Sequence, residues 1–263
     1  MARLSDTPYL DHIRAESARF RVVLADCDPA ARVPSCPDWS ADDLLWHLAG
    51  VQQWWTTVLR NRPTQPESVD PERPGDRAGL LAFFDEWSAA LSDELEQADP
   101  AEECWTWSSD HTVGFILRRQ AHEALIHRLD AELAAGSVTP LDPVLASDGV
   151  DEVLDVMYGG LPPWGTWEPL DHHVRVDCTD TDQSTWVRLG LFSGTSPDGQ
   201  EYAGEEDAHV VADPGTAPDV VVNGTADDLD AWLWRRRDDS GITHAGDQAI
   251  YERFLACVNH PID

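Results

Sequence analysis

Apolar residues recur every three or four positions through the first half of the chain, and every second position through much of the second half. Leu10, Ile13, Phe20 and Leu24 share one stripe, with the small Ser17 between them, and predict a helix from about Asp6 to Ala25. A second helix opens after PSCPDWSADD, where Ser40 and Asp43 form a capping-box pattern, and continues to about Arg60. Its stripe is Leu44, His47, Leu48, Val51, Trp55 and Val58. Leu80, Phe84, Trp87, Leu91 and Leu95 predict a third helix from about Asp76 to Gln97. A fourth, from about Thr112 to Ala135, is apolar on more than one face, as an interior helix must be. Four such helices predict an all-α four-helix bundle over residues 1–140. The segments Asn61–Arg73 and Asp99–Asp110 are long enough for crossovers, so simple up-and-down topology does not follow.

GSVTPLDPVLASDG reads as a linker, and the period changes after it. HHVRVDC and STWVRLGL alternate apolar and polar residues around the turn-like TDTDQ, and AHVVA and PDVVVNG add two further strands. DCTDTDQ spaces its aspartates like a calcium loop but lacks the glycine and the distal glutamate, so it is expected to be a hairpin turn. A helix near Asp148–Tyr158, one beginning at TADDLDAWLWRR and one over DQAIYERFLACV complete a smaller α+β domain spanning residues 147–263.

The charge narrows the range of partners. The chain has 263 residues, 49 of them acidic, and no lysine, for a net charge of −31. Such a surface repels nucleic-acid phosphates and anionic membranes, so neither is expected as a partner. The start MARLSDTPYLDHIR lacks the basic-then-apolar pattern of a secretory signal, and no apolar run approaches ~18 residues. Five scattered cysteines without a C-x-x-C pair argue for reduced thiols and a cytoplasmic location.

The chemistry concentrates in RRQAHEALIHRLDAE, residues 118–132. The order His122-Glu123-Ala124-Leu125-Ile126-His127 is one residue longer than the His-Glu-x-x-His zinc signature. At about 100° per residue, His122 and His127 lie roughly 140° apart and cannot share an ion. Glu123 and His127 are four apart and stack on one face. His47, on the apolar stripe of the second helix, would point inward and could join them as a third ligand. Two imidazoles and a carboxylate would leave a fourth position open on a metal. Alternatively, Glu123 pairs with Arg119 or Arg128 and the histidines are ordinary residues. Asp130, one turn beyond His127, could accept its hydrogen bond or form a surface salt bridge. His122 is expected to be structural, His172 and His173 receive no role, and Trp46 and Trp54 could wall a pocket.

VPSCPDWSADDLLWHLAG followed by RRQAHEALIHRLDAE resembles the mycothiol-dependent maleylpyruvate isomerase family, as do ASDGVDEVLDVM, VNGTADDLDAWLWRR and GDQAIYERFL farther on. The resemblance implies a DinB-like metal-binding bundle followed by the family's own C-terminal domain. It also implies metal ligands at His47, Glu123 and His127, a divalent ion (zinc is expected), and mycothiol as the thiol cofactor. An arginine of the C-terminal domain would serve catalysis, and it falls on Arg236, although Arg235 stands where the family usually has glycine. The implied activity adds a metal-bound thiolate to an activated double bond of a small-molecule electrophile, for cis–trans isomerisation. Thiol S-transfer, or metal and thiol binding without catalysis, are the alternatives.

Overall fold

A computed structural model describes residues 4, 6–259 and 262. They divide into two compact units, Leu4–Leu141 and Asp142–Asp263.

The first unit is built on four helices: α1 (Asp6–Asp26), α2 (Ala41–Asn61), α3 (Arg77–Gln97) and α4 (Val113–Ala135). Each of the last three starts where a short polar side chain can cap it. Ser40, Asp76 and Thr112 accept hydrogen bonds from the backbone N–H groups of Asp43, Gly79 and Phe115. At α2 the box is reciprocal, since the Asp43 carboxylate accepts from the Ser40 N–H at 2.9 Å. Helix α1 packs on α4 and α3, and α2 packs on α3 and α4, whereas α1 and α2 barely touch. The order around the bundle is therefore α1-α4-α2-α3, so the connections from α1 to α2 and from α3 to α4 cross the bundle. A two-stranded ribbon, β1 (Arg32–Val33) paired antiparallel with β2 (Cys36–Ser40), fills the first crossing and runs directly into α2. The sequence pattern does not announce it, because Pro34 and Pro37 break any alternation.

Phe20, Leu24, Leu44, Leu48, Leu80 and Phe84 form the centre of the apolar core. Helix α4 is buried on nearly every side, polar positions included, as its apolar spread predicts. Its charged groups are answered inside the unit: Arg128 Nε donates to Glu16 Oε2 at 2.7 Å and Arg128 Nη1 to Glu132 Oε2 at 2.9 Å. Glu132, fully buried, also accepts from Arg19 Nε at 2.7 Å and from the Thr139 backbone N–H at 2.7 Å.

In the second unit a five-stranded sheet has the order β5-β4-β3-β6-β7, with β3 (Gly165–Cys178), β4 (Gln183–Thr195), β5 (Glu201–Val211), β6 (Val220–Gly224) and β7 (Thr243–Gly246). All neighbours are antiparallel except β3 and β6. Around it lie α5 (Pro143–Glu152), α6 (Ala226–Leu233) and α7 (Gln248–Cys257). TDTDQ is the β3–β4 hairpin turn, as expected, and Asp180 uses its carboxylate to accept from the Ala226 N–H at the start of α6. His172 and His173 lie inside β3, not at its start. The stretch that reads as a linker is partly helix. Asp142 accepts from the N–H groups of Val144 and Leu145, and Pro143 occupies the first turn, so α5 begins there and continues into a π-helical turn over Val153–Tyr158. No described helix is long and apolar enough to cross a membrane.

Helices α4 and α6 end in the same motif. After α4, Gly136 at φ 71° donates to Leu133 O, and Ser137 donates to Glu132 O. After α6, Arg235 at φ 62° donates to Trp232 O, and Arg236 donates to Ala231 O. An arginine thus holds the left-handed position that glycine fills without strain. The Arg235→Gly variant is expected to unfold at higher denaturant concentration, with a gain of about 1 kcal/mol. A second expectation concerns acid. Hydrogen bonds from the Ser40 side chain and backbone, with help from Arg73, lower the Asp43 carboxyl from 3.8 to about 2. Its contribution is present above pH 3.8 and lost as pH falls through about 2. After solvent screening it is worth at most about 1 kcal/mol, so Asp43→Asn should lower stability at pH 6 and converge with the parent protein near pH 2.

Candidate metal centre

Two helices that are neighbours in the bundle, α2 and α4, place three donors together. His47 rises from the second turn of α2, and Glu123 and His127 stack one turn apart on α4. One ligand atom from each lies within 4.8 Å of the others. His127 Nε2 is 3.1 Å from Glu123 Oε1, His47 Nε2 is 3.7 Å from the same oxygen, and the imidazoles meet edge to face at 4.8 Å.

The surroundings orient each donor. His127 Nδ1 donates to Asp130 Oδ2 at 3.0 Å, which turns Nε2 toward Glu123 and His47. Asp130 is fully buried and accepts a further hydrogen bond from Ser35 Oγ, in the turn of the β1–β2 ribbon. The surface salt bridge considered for Asp130 is therefore not what it makes. Arg119 Nη2 donates to Glu123 Oε2 at 2.8 Å, leaving Oε1 for the histidines. Trp39 of the ribbon lies 4.6 Å from the His47 ring. The sequence alternatives of an arginine pair or a metal cluster at Glu123 prove compatible, because its two oxygens face different partners.

Burial alone would raise the Glu123 carboxyl, but the charge and hydrogen bond of His127, a hydrogen bond from His47, and Arg119 hold it well below the ordinary carboxylate range. Burial alone would lower His127. The Glu123 charge and hydrogen bonds to Asp130 and Glu123 outweigh it and raise the imidazole to about 9. Two imidazoles and a carboxylate, converging and already oriented, fit a divalent ion with one position left open.

His122 is also buried, but against Tyr9 at 6.2 Å, on a different face of α4 from the cluster. A cavity of about 840 Å³ opens beside His47, and Trp46 and Trp54 are among its walls, as expected. Ser35 and Trp39 were not singled out by sequence, whereas Arg119 was named there as one of two candidate partners of Glu123. Ser35 and Trp39 lie in the PSCPDWS segment, whose only signal is its closeness to the helix cap. Arg119 lies one turn before Glu123 and carried a weak one.

The family described as "Mycothiol maleylpyruvate isomerase N-terminal domain" matches residues 10–132, and the "MDMPI C-terminal domain" matches residues 145–253. The chain belongs to the mycothiol-dependent maleylpyruvate isomerase family. Two solved structures are similar along almost the whole chain. One is a mycothiol-dependent maleylpyruvate isomerase (TM-score 0.58) and the other a histidine-to-alanine mutant of it (TM-score 0.60). Both are 15% identical, with 92% of this chain and 93% of theirs covered, and the likeness shows a shared fold. No curated protein matches the chain.

In the second unit, Arg235, Arg236 and Arg237 follow α6 and do not lie on it, because the helix ends at Leu233. Arg237 is paired with Asp228 at 2.6 Å and Asp227 at 3.1 Å. Arg235 is exposed at its left-handed position. Arg236 is half-buried, donates from Nη1 to the Trp234 carbonyl at 2.7 Å and lies 5.9 Å from the Trp234 ring.

Purified protein is expected to carry close to one divalent ion per chain by elemental analysis. His47→Ala, Glu123→Ala and His127→Ala should each lower that occupancy, and His122→Ala should not. Loss of metal from the His122 variant alone would contradict the assignment. Asp130→Asn should weaken affinity by about 10- to 100-fold without removing a ligand.

Proposed function

We propose that this chain is a thiol-dependent enzyme that adds a thiolate to an activated double bond, with a divalent ion, zinc by donor set, held by His47, Glu123 and His127. The observation that carries the proposal is the convergence of these three donors within 4.8 Å, with His127 turned toward the others by Asp130, in a chain of this family. Mycothiol is the thiol its family name indicates. When bound, the ion supplies a Lewis-acid position that holds a thiol as its thiolate at neutral pH.

The protein's own groups do the rest. Asp130 and Ser35 hold His127 with its Nε2 toward the cluster, and Arg119 fixes the carboxylate of Glu123. Tryptophans beside His47 offer aromatic surface to the electrophile. Bound at the open position, the thiol would supply the nucleophile for reversible addition to one alkene carbon. The C=C bond would become a rotatable single bond with its electron pair on the conjugated carbonyl oxygen as an enolate, and elimination would return the trans isomer with no net use of thiol. Arg236 is the group we assign to the enolate charge. The position of Arg235 supports that register: it occupies the left-handed site where the family usually has glycine, so the next residue corresponds to the family's arginine.

If a proton reaches the enolate carbon first, the thiol stays attached and the enzyme is an S-transferase. The carboxylates around the cavity beside His47 suit a dicarboxylate substrate poorly. Five widely scattered cysteines without a C-x-x-C pair are the ground for a reducing, cytoplasmic setting.

The test combines metal analysis with a thiol-dependent assay that follows alkene isomerisation and thiol concentration together. Isomer conversion at constant thiol supports the first reading, and stoichiometric loss of thiol supports the second. Bound metal without turnover would make the protein a binder. Arg236→Ala is expected to keep its metal and fold while losing about 10²-fold in turnover. Arg237→Ala, which breaks only the pairs with Asp227 and Asp228, should lose far less.

A further inference from the structure

His47 stands in the wall of the cavity, and the other side chains that line it, all from the first unit, are not among the three donors. Its volume of about 840 Å³ suits a small organic ligand. Trp39, Trp46, Trp54 and Trp107 give it aromatic surface, and Asp38, Asp43 and Asp70 give it carboxylates. Among the described residues that line it there is no arginine, and the chain has no lysine to reach in from elsewhere. Asp43 is matched by Arg73 at 2.7 Å. Asp38 and Asp70 are exposed at the wall.

The charge at the cluster does not compensate them. A divalent ion, the Glu123 carboxylate and a thiolate sum to zero, and Arg119 offsets Asp130. What an incoming molecule meets is the field of Asp38 and Asp70 over tryptophan faces. Those faces attract cations and flat apolar groups, and the carboxylates repel anions.

We propose that this cavity selects an electrophile that is uncharged or cationic and has a flat apolar body, with Asp38 and Asp70 as the residues that exclude carboxylate-bearing substrates. The proposal rests on the thiol-addition reading above for the word electrophile. The selection itself rests on the walls of the cavity. Each exposed carboxylate should disfavour a singly charged anion by on the order of threefold at low salt, and the two together by about tenfold.

The experiment uses the full-length, metal-loaded protein saturated with thiol, so that the open metal position is filled, and three saturated imides that cannot react with a thiolate: N-ethylsuccinimide and its carboxymethyl and aminoethyl counterparts. Calorimetric titration at low ionic strength should rank the neutral form about tenfold, and the ammonium form about a hundredfold, tighter than the carboxylate form, with the gap closing in high salt. Asp38→Asn combined with Asp70→Asn should narrow the gap by raising the affinity of the anion. Equal or tighter binding of the anion, no binding of any imide, or a gap unchanged in the double variant would overturn the proposal. The matching unsaturated maleimides are then assayed with thiol. If the imides rank as expected but no maleimide is turned over, the selectivity holds and the thiol-addition reading fails.

Discussion

A carboxylate inside a helical bundle must be met by opposite charge at contact distance, or folding carries the cost of stripping its water. Glu123 is largely withdrawn from solvent, and its two oxygens are divided between an arginine one turn earlier and an imidazole one turn later. Because both partners sit on α4, the helix carries its own compensation and can be buried on nearly every side. His127 then needs an acceptor for its other nitrogen, and Asp130 provides it from the next turn. Asp130 in turn has no exposure and takes a hydroxyl from the ribbon. One buried charge thus sets a chain of requirements that runs from α4 to the segment before α2.

The same logic explains why α1 is a neighbour of α4. Arg128 and Glu132 are buried on α4, and the groups that answer them, Glu16 and Arg19, come from α1. Removing one member would strand a charge in the interior, which costs far more than the pair contributes when intact. These polar contacts fix which helices meet and in what register, while Phe20, Leu44 and Phe84 supply the apolar burial.

The helices of the first unit were legible because each is long and periodic, and α2, α3 and α4 each start at a recognisable capping residue. Ser40 and Asp43 even show the reciprocal box that the sequence implies. The strands around TDTDQ were legible from period two alone. The order of helices was not, since a stripe says that a face is buried but not against which partner. β1, β2 and β7 were missed because they are short and their residues do not alternate in polarity. At the site, Glu123 and His127 could be paired by counting along one helix. Adding His47 needed its place on an apolar stripe, and the family resemblance gave the same three. Ser35 could not have been found this way: it lies 95 positions from Asp130, and nothing local marks it.

The ribbon between α1 and α2 has one further property. Within a few residues it carries Ser35, which steadies the acceptor of His127, Trp39, which lies against His47, and Asp38, which faces the cavity. Its last residue, Ser40, is also the cap from which α2 and His47 begin. The wall that a ligand touches and the scaffold that aims both imidazoles are therefore one piece of backbone. A change in this segment therefore reaches the wall of the cavity and the packing of both imidazoles at once.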